Sequence, residues 1–458
     1  MKIIMKMNNV KRLLVAFIIL GLIWKIFTSY AKTPLAQDVN HQQPQLNQQY
    51  TIINRNVVQQ PLKPSQDSSQ FHHHSTITHS ALLSQPFDGM TLKQKKNYVH
   101  LKNNLQTVLN SHLLKSTSNH KFDLVVVVQS HKRYKYLQAL MQSLHKARGI
   151  NKILLIVSHD YLLTEMRTVV ESVQFCPVIQ IFFPYSAQLH PDVFPGTDPR
   201  DCKRDTPKEL ALVKKCLNAN YPDQFGHYRE ADYTMTKHHW WWKINFVFDQ
   251  LNILKDYKGL VLLLEEDHYV APDFLTIMKL LEQKRNSEYP NCDFLGLGSY
   301  NRHGSYSHFK HKADYVAWAS NKNNMGMAMN RATFDKIKRC NNQFCRFDDY
   351  NWDWTIQSLS RKCLNRPLTI LTMQAPHVFH AGECSGLHHK RFCKMEDTIT
   401  AIERSLSANM DYLFPQTIGV TSQNREIRRF AGVSRPNGYG GWGDIRDHKL
   451  CMSYVKSA

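Results

Sequence analysis

The sequence predicts an α/β domain with a largely parallel sheet, set behind an N-terminal apolar segment and a polar stem. Two observations carry that reading. Four apolar runs, 123–130 (DLVVVVQS), 152–160 (KILLIVSHD), 178–183 (VIQIFF) and 259–267 (GLVLLLEED), have the length and branching of buried strands. Between them lie stretches of helical apolar spacing, such as Tyr136–Lys146, and strands alternating with helices call for parallel pairing. At 458 residues the chain has room for one large domain or two ordinary ones. Its 42% apolar and 11% aromatic content excludes a wholly disordered or fibrous protein. No internal repeat is present.

The elements follow in chain order. Leu13 to Trp24 reads LLVAFIILGLIW without a charge, behind Lys2, Lys6, Lys11 and Arg12. With Lys25 snorkelling, Val10–Tyr30 reaches the roughly 20 residues that a bilayer core needs. Residues 1–9 are then a cytosolic tail, 10–30 a transmembrane signal-anchor, and everything after them lumenal. Ser29-Tyr30-Ala31 also fits a signal-peptidase cut, and either reading sends the chain into the secretory pathway. Residues 31–118 are expected to be a flexible stem: glutamines crowd Gln37–Gln70, and such composition cannot bury enough apolar surface to fold. His72-His73-His74 reads as a solvated part of that tether, and a helix over 91–114 leads into a lumenal domain at 119–458.

All ten cysteines lie from Cys176 onward and none forms a C-x-x-C pair, so zinc-ribbon and thioredoxin-like spacings are excluded and lumenal disulfides are expected. No N-x-[ST] sequon occurs. Basic over acidic side chains give 58 − 37 = +21. That charge suits a polyanion, an anionic membrane or a phosphate-bearing substrate without choosing among them, and the lumenal route argues against nucleic acid.

Ligands of α/β sheets gather at the carboxyl ends of strands. Here those ends carry Ser130-His131-Lys132-Arg133, Ser158-His159-Asp160 and Glu265-Glu266-Asp267-His268. Three acids leaving a buried strand suit a hard divalent cation, or else a solvated strand end before the helix that starts at Ala271-Pro272-Asp273. Lys237-His238-His239-Trp240-Trp241-Trp242-Lys243 is either a buried helix start or an edge for a nucleotide phosphate or a sugar; three consecutive Trp cannot all face one core. His377, His380, His388 and His389 sit near Cys384 and Cys393, and one of them could complete a cation shell. In Phe347–Trp354 (FDDYNWDW) acids interleave with large aromatics, a pattern for stacking on sugar rings with a carboxylate as general base, or for a helix with a core face and a wet face. G-x-S-x-G, P-loop and H-E-x-x-H motifs are absent.

Taken together, LEEDHYVAPDF (264–274), FGHYREADYTMTKHHWWWK (225–243), FPGTDPRDC (194–202), FDDYNWDW (347–354), VFHAGEC (378–384) and GGWGDIRDHKLC (440–451) resemble the N-acetylglucosaminyltransferase II family. The resemblance runs from about Asp123 to Tyr454. It implies a GT-A-type fold with a Rossmann-like mixed sheet and a type II Golgi membrane glycosyltransferase. It further implies an inverting mechanism, UDP-GlcNAc as donor, Mn2+ as cofactor and an N-glycan core on a glycoprotein as acceptor. GlcNAc would go in β-1,2 linkage to the α-1,6-arm mannose, giving biantennary complex N-glycans. By position, Asp267 and His380 would hold the metal. Gln129, Ser130, His131, Lys132, Arg133, Asp160, Met235, Thr236, Lys237, His238 and His239 would line the donor site. Asp353 would be the general base, and Glu265, Tyr350 and Trp352 would recognise the acceptor's existing GlcNAc branch.

The family's disulfides, moved by position, would pair Cys202 with Cys216, Cys340 with Cys363, Cys345 with Cys451 and Cys384 with Cys393, leaving Cys176 and Cys292. Where the family has a cysteine three residues before Cys292 this chain has Tyr289, so Cys292 is expected as a free thiol. The stretch Asn301–Lys312 departs from the family pattern, and Lys132 and Tyr134 differ within the first nucleotide loop. Two alternatives remain open: a related transferase with another mannose acceptor, and a catalytically silent Golgi glycan-binding protein.

Overall fold

The computed structural model describes residues 79–114, 122–298, 306–364, 366–384, 394–422 and 438–455. The expected anchor, most of the stem with its His run, His388, His389 and Cys393 fall outside them. Among the described residues no helix is long and apolar enough to cross a membrane.

The apolar runs become strands β2 (Leu124–Ser130), β3 (Ile153–His159), β4 (Val178–Phe182) and β5 (Val261–Glu265), preceded by a short β1 (Val108–Leu109). After them come β6 (His268–Val270), β7 (Phe294–Gly296), β8 (Lys312–Ala317), β9 (Met327–Met329), β10 (Thr369–Met373), β11 (Val378–His380) and β12 (Gly419–Ser422). Ten of these form one sheet in the order β1-β4-β3-β2-β5-β9-β7-β10-β8-β12, while β6 and β11 form a separate ribbon. From β4 to β5 the pairing is parallel, as the βα alternation requires. Beyond β5 it is mixed: β9 runs antiparallel to both β5 and β7, and β8 antiparallel to β10. The sheet is therefore mixed rather than largely parallel, because its second half is built from three- to six-residue strands too short to show in the apolar pattern.

Alternate side chains of each central strand enter opposite layers. Val125 and Val127 pack with Trp240 and Trp241, and Val126 and Val128 pack with Leu137 and Leu140 of the Tyr134–His145 helix. The Ala231–Asp249 helix has no wet face over most of its length. Contrary to the expectation, all three of its tryptophans enter one core, where Trp240 stacks on Trp352 at 4.5 Å, Trp241 on Phe344 at 4.3 Å, and Trp242 lies 5.5 Å from Phe183. That resolves the three-tryptophan puzzle in favour of a buried helix.

Packing begins well before residue 119. Thr91 and Gln94 form a reciprocal capping box that starts the Leu92–Leu105 helix, and left-handed Gln106 ends it short of the expected 114. Its Tyr98 is wholly buried against Phe87 and Phe182. The Asn103 amide both donates to and accepts from the Phe182 backbone, and β1 adds an antiparallel strand to the β4 edge. Residues 79–114 thus belong to the folded unit, since a few well-placed aromatics bury what the polar composition conceals.

Disulfides join Cys202 to Cys216, Cys340 to Cys363 and Cys345 to Cys451, as the resemblance implied. Cys384 is also disulfide-bonded, its expected partner Cys393 lying outside the described residues. Cys176 and Cys292 are buried free thiols, and burial pushes both up to about 12.

Candidate active site

The carboxyl ends of β2, β3 and β5 do converge on one rim. Ser130 ends β2, and its hydroxyl lies 2.8 Å from Nδ1 of His159, whose Nε2 lies 3.1 Å from Gln180 Oε1. In the turn that follows, the His131 backbone N–H donates to Glu266 at 2.7 Å and its ring Nδ1 lies 2.6 Å from Asp160 Oδ1. Burial opposes the Asp160 charge, yet His131 outweighs it and holds that carboxyl well below the usual range. His239 reaches the same carboxylate at 3.5 Å, and its Nε2 lies 2.8 Å from the Ser158 hydroxyl. Gln129 accepts from Lys243 Nζ at 2.7 Å beneath the rim, and Lys132 lies over the Tyr161 ring at 4.5 Å.

Arg133 closes the turn over the acids of β5, donating from Nε to Glu266 at 2.9 Å and from Nη2 to Asp267 Oδ2 at 2.8 Å. The β6–β11 ribbon pairs His268 with His380 and so carries His380 Nε2 to 3.1 Å from Asp267 Oδ2. Burial works against ionised Asp267, but the His380 hydrogen bond and the Arg133 charge outweigh it and hold the carboxyl well below its ordinary value. For Glu265 burial wins and pushes the carboxyl up to about 7; buried Lys243 falls to about 7 for the same reason.

This donor set fits a Mn2+-type ion. Asp267 Oδ1 is buried with no hydrogen-bond partner, and oxygens of Glu265 and Asp267 and a ring nitrogen of His268 all lie within 4.8 Å of one another. Carboxylate oxygens with one or two imidazole nitrogens suit such a hard-to-borderline cation. Gly382 completes the cradle, for a Cβ built there would stand 1.9 Å from Asp267 Oδ2. Neither His268 nor Gly382 is singled out as a site residue by the sequence reading; the signal available was their place inside LEEDHYVAPDF and VFHAGEC.

Asp353 stands in the first turn of the Trp352–Lys362 helix. Its Oδ2 accepts from Ser320 Oγ at 2.8 Å and Asn324 Nδ2 at 2.7 Å, and its Oδ1 from the Trp354 N–H at 2.9 Å. Because β9 is antiparallel to β5 with Leu263 opposite Met327, the residues just before β9 lie beside the end of β5. Asn324 is three residues before Met327, which ties Asp353 to the segment that leads into β9.

Three expected contacts go elsewhere. Lys237 is wholly buried, donating to the backbone carbonyls of Phe347 and Asp349 at 3.0 and 2.9 Å and sitting 4.3 Å from the Trp442 ring centre. His238 is clamped between Asp447 at 2.9 Å and the Tyr454 hydroxyl at 3.0 Å. His238 ties the C-terminal helix (Ile445–Ser453) to the Ala231–Asp249 helix, and Lys237 ties the Phe347–Asp349 segment to it; of the five residues from Met235, only His239 meets the rim carboxylates. Met235 lies in the core and Thr236 is half-buried. Trp352, stacked on Trp240, is only 7% exposed and offers no face to a sugar, whereas Tyr350 is half-buried, edge-on to Tyr233 at 5.2 Å.

Asp348 and Asp349 are clamps, accepting from the backbone N–H groups of Gln224, Trp442, Asn351 and Tyr439. With Asp223, which accepts from the Gly441 N–H at 2.7 Å, they hold the 438–443 loop, whose Gly438, Gly440 and Gly441 have positive φ. Trp354 and Tyr439, 5.2 Å apart, leave a more accessible aromatic pair beside Asp353 in sequence.

A sequence profile of the N-acetylglucosaminyltransferase II (MGAT2) family matches residues 96–451. The alpha-1,6-mannosyl-glycoprotein 2-beta-N-acetylglucosaminyltransferase of Sus scrofa is 49% identical over 332 residues, covering 72% of this chain and 73% of that protein. The Homo sapiens enzyme of the same name is 48% identical with the same coverage, and that of Arabidopsis thaliana 32% identical over 337 residues, covering 72% and 74%. Among solved structures, S. aureus TarS 1-349 gives a TM-score of 0.30 at 11% identity over 57% of this chain and 61% of that one, a likeness too slight to bear on the site. Most of the described chain, from within the Leu92–Leu105 helix to Cys451, thus lies inside one profile, and the chain belongs to the N-acetylglucosaminyltransferase II family.

Proposed function

We propose that this rim transfers N-acetylglucosamine from UDP-GlcNAc, in β-1,2 linkage and with inversion, to the α-1,6-arm mannose of an N-glycan core that already carries GlcNAc on its other arm. What supports the reading most is Asp267 at the end of the buried β5 strand, with His380 3.1 Å from its Oδ2 and its Oδ1 buried without a partner. Asp267 and His380 would hold Mn2+, whose chemistry when bound is to neutralise charge on the donor diphosphate. The basic turn at His131–Arg133, with Asp160 and His239, orients the nucleotide. Asp353 takes the proton of the attacking mannose 2-hydroxyl, a role worth ~10² to 10⁴ in rate. Attack from the face opposite the diphosphate inverts the anomeric carbon and needs only this one base.

The same reading gives the domain a GT-A-type fold and places it in the Golgi lumen behind a type II anchor at 10–30. The experiment is transfer by the full chain from UDP-GlcNAc to a defined GlcNAc-capped core glycan, with and without Mn2+, beside O-mannosyl and otherwise branched acceptors. Mn2+-dependent transfer to the first acceptor supports the reading. Transfer to another acceptor alone would replace the substrate, and glycan binding without any transfer would leave a lectin.

A further inference from the structure

We propose that Ser320 and Asn324 are positioning residues that assign the two oxygens of Asp353 different roles, a proposal that rests on Asp353 being the base. Both residues donate to the same oxygen, Oδ2, at 2.8 and 2.7 Å. Two donors fill the lone pairs of that oxygen. Oδ1 accepts only from the Trp354 backbone N–H among the described residues, so one of its lone pairs is left for the substrate. In the step itself the mannose 2-O–H bond breaks and its proton passes to Oδ1. The hydroxyl oxygen bonds to the anomeric carbon as the anomeric carbon–phosphate oxygen bond breaks, its electron pair leaving with UDP.

The short Ser320–Asn323 helix is built to hold this geometry. Ser320 is wholly buried, and its backbone N–H donates to Gln357 Oε1 at 2.8 Å, one helical turn beyond Asp353. Asn323 caps the turn through the Ala319 N–H, and its carbonyl accepts from Trp318 Nε1 at 3.1 Å. Asn324 therefore meets Asp353 from a fixed backbone. Its orientation follows from chemistry: an ionised carboxylate only accepts, so the amide nitrogen must face it. The amide oxygen is then left buried without a partner.

The test compares Ser320→Ala, Ser320→Thr, Asn324→Ala and the Ser320→Ala/Asn324→Ala double variant with Asp353→Asn, reading kcat, the KM of each substrate and UDP–Mn2+ binding. The double variant is expected to lose at least tenfold in kcat with the KM for UDP-GlcNAc and UDP binding unchanged. Ser320→Thr, which keeps the hydroxyl, should restore the Ser320→Ala loss. A double variant within twofold of wild-type kcat would overturn the proposal, as would a loss shared by UDP binding, which marks collapse of the site. Retained turnover in Asp353→Asn would instead overturn the base assignment beneath it.

Discussion

Gly382→Ala offers the sharpest probe of the cation cradle. A Cβ at this position would meet Asp267 Oδ2 at 1.9 Å, Cγ at 2.7 Å and the Asp267 Cβ at 2.9 Å. An ordinary contact begins near 3.4 Å, so the carboxylate must retreat by 3.4 − 1.9, about 1.5 Å. It has little freedom to do so, since Arg133 and His380 grip the same oxygen at 2.8 and 3.1 Å. A misplacement of about 1 Å at a reacting centre costs on the order of 100-fold, or roughly 2.7 kcal/mol. The variant should therefore bind Mn2+ far more weakly and lose on the order of 100-fold in kcat. Mn2+ titration by electron paramagnetic resonance, with steady-state kinetics, reads both. Gly89→Ala, whose Cβ would meet nothing nearer than 3.7 Å, is the control. Wild-type Mn2+ affinity and turnover in Gly382→Ala would refute the placement of Asp267 as a ligand.

Lys237→Met leaves two buried carbonyls without their donor, so it should destabilise the fold by on the order of 3 kcal/mol while the KM for UDP-GlcNAc stays within twofold; a raised KM at unchanged stability would return Lys237 to the donor site. His159 is buried and neutral, with burial pushing it down to about 3, below the ordinary value of 6.5, so its contribution is full above pH 6.5 and is lost as pH falls towards 3. Unfolding free energy should drop by about 2 kcal/mol between pH 6.5 and 5 from this group, and His159→Gln should lower the slope of stability against pH by about one proton. Losing Cys345–Cys451, with a sequence separation of 106, should cost about 4–5 kcal/mol, against about 3 for Cys340–Cys363 at 23, in denaturant titrations of the Cys-to-Ala pairs; equal costs would contradict the loop-entropy account.

The half of the fold that is built from long apolar strands was legible, because Val125–Val128 and Leu262–Leu264 announce burial on both faces without any partner being known. The other half was not, since β7, β9 and β11 have three residues each and owe their existence to the strands they pair with. In the site, the acids at the end of β5 could be read from charge alone, for three carboxylates leaving a buried strand need compensation. What they do individually could not: Glu266 is held by Arg133, while Asp267 keeps one oxygen open. Lys237, His238 and Trp352 looked functional for the same reason, being polar or aromatic residues inside dense motifs. Their partners, Asp447, the Phe347 carbonyl and Trp240, are distant in sequence or concealed in another helix, and only the packing shows that these side chains build the scaffold. That residues 79–114 are folded was hidden by polar composition, with Tyr98 and Asn103 making the decisive contacts.

The most direct test of the central claim is turnover and UDP–Mn2+ binding measured together on Asp353→Asn in the full chain. The amide keeps the shape of the carboxylate but cannot take the proton, so transfer to the GlcNAc-capped core glycan should fall by ~10² to 10⁴. UDP binding in the presence of Mn2+ should be unchanged. Transfer at the wild-type rate, or loss of nucleotide binding along with turnover, would contradict the assignment of Asp353 as the base of this glycosyltransferase.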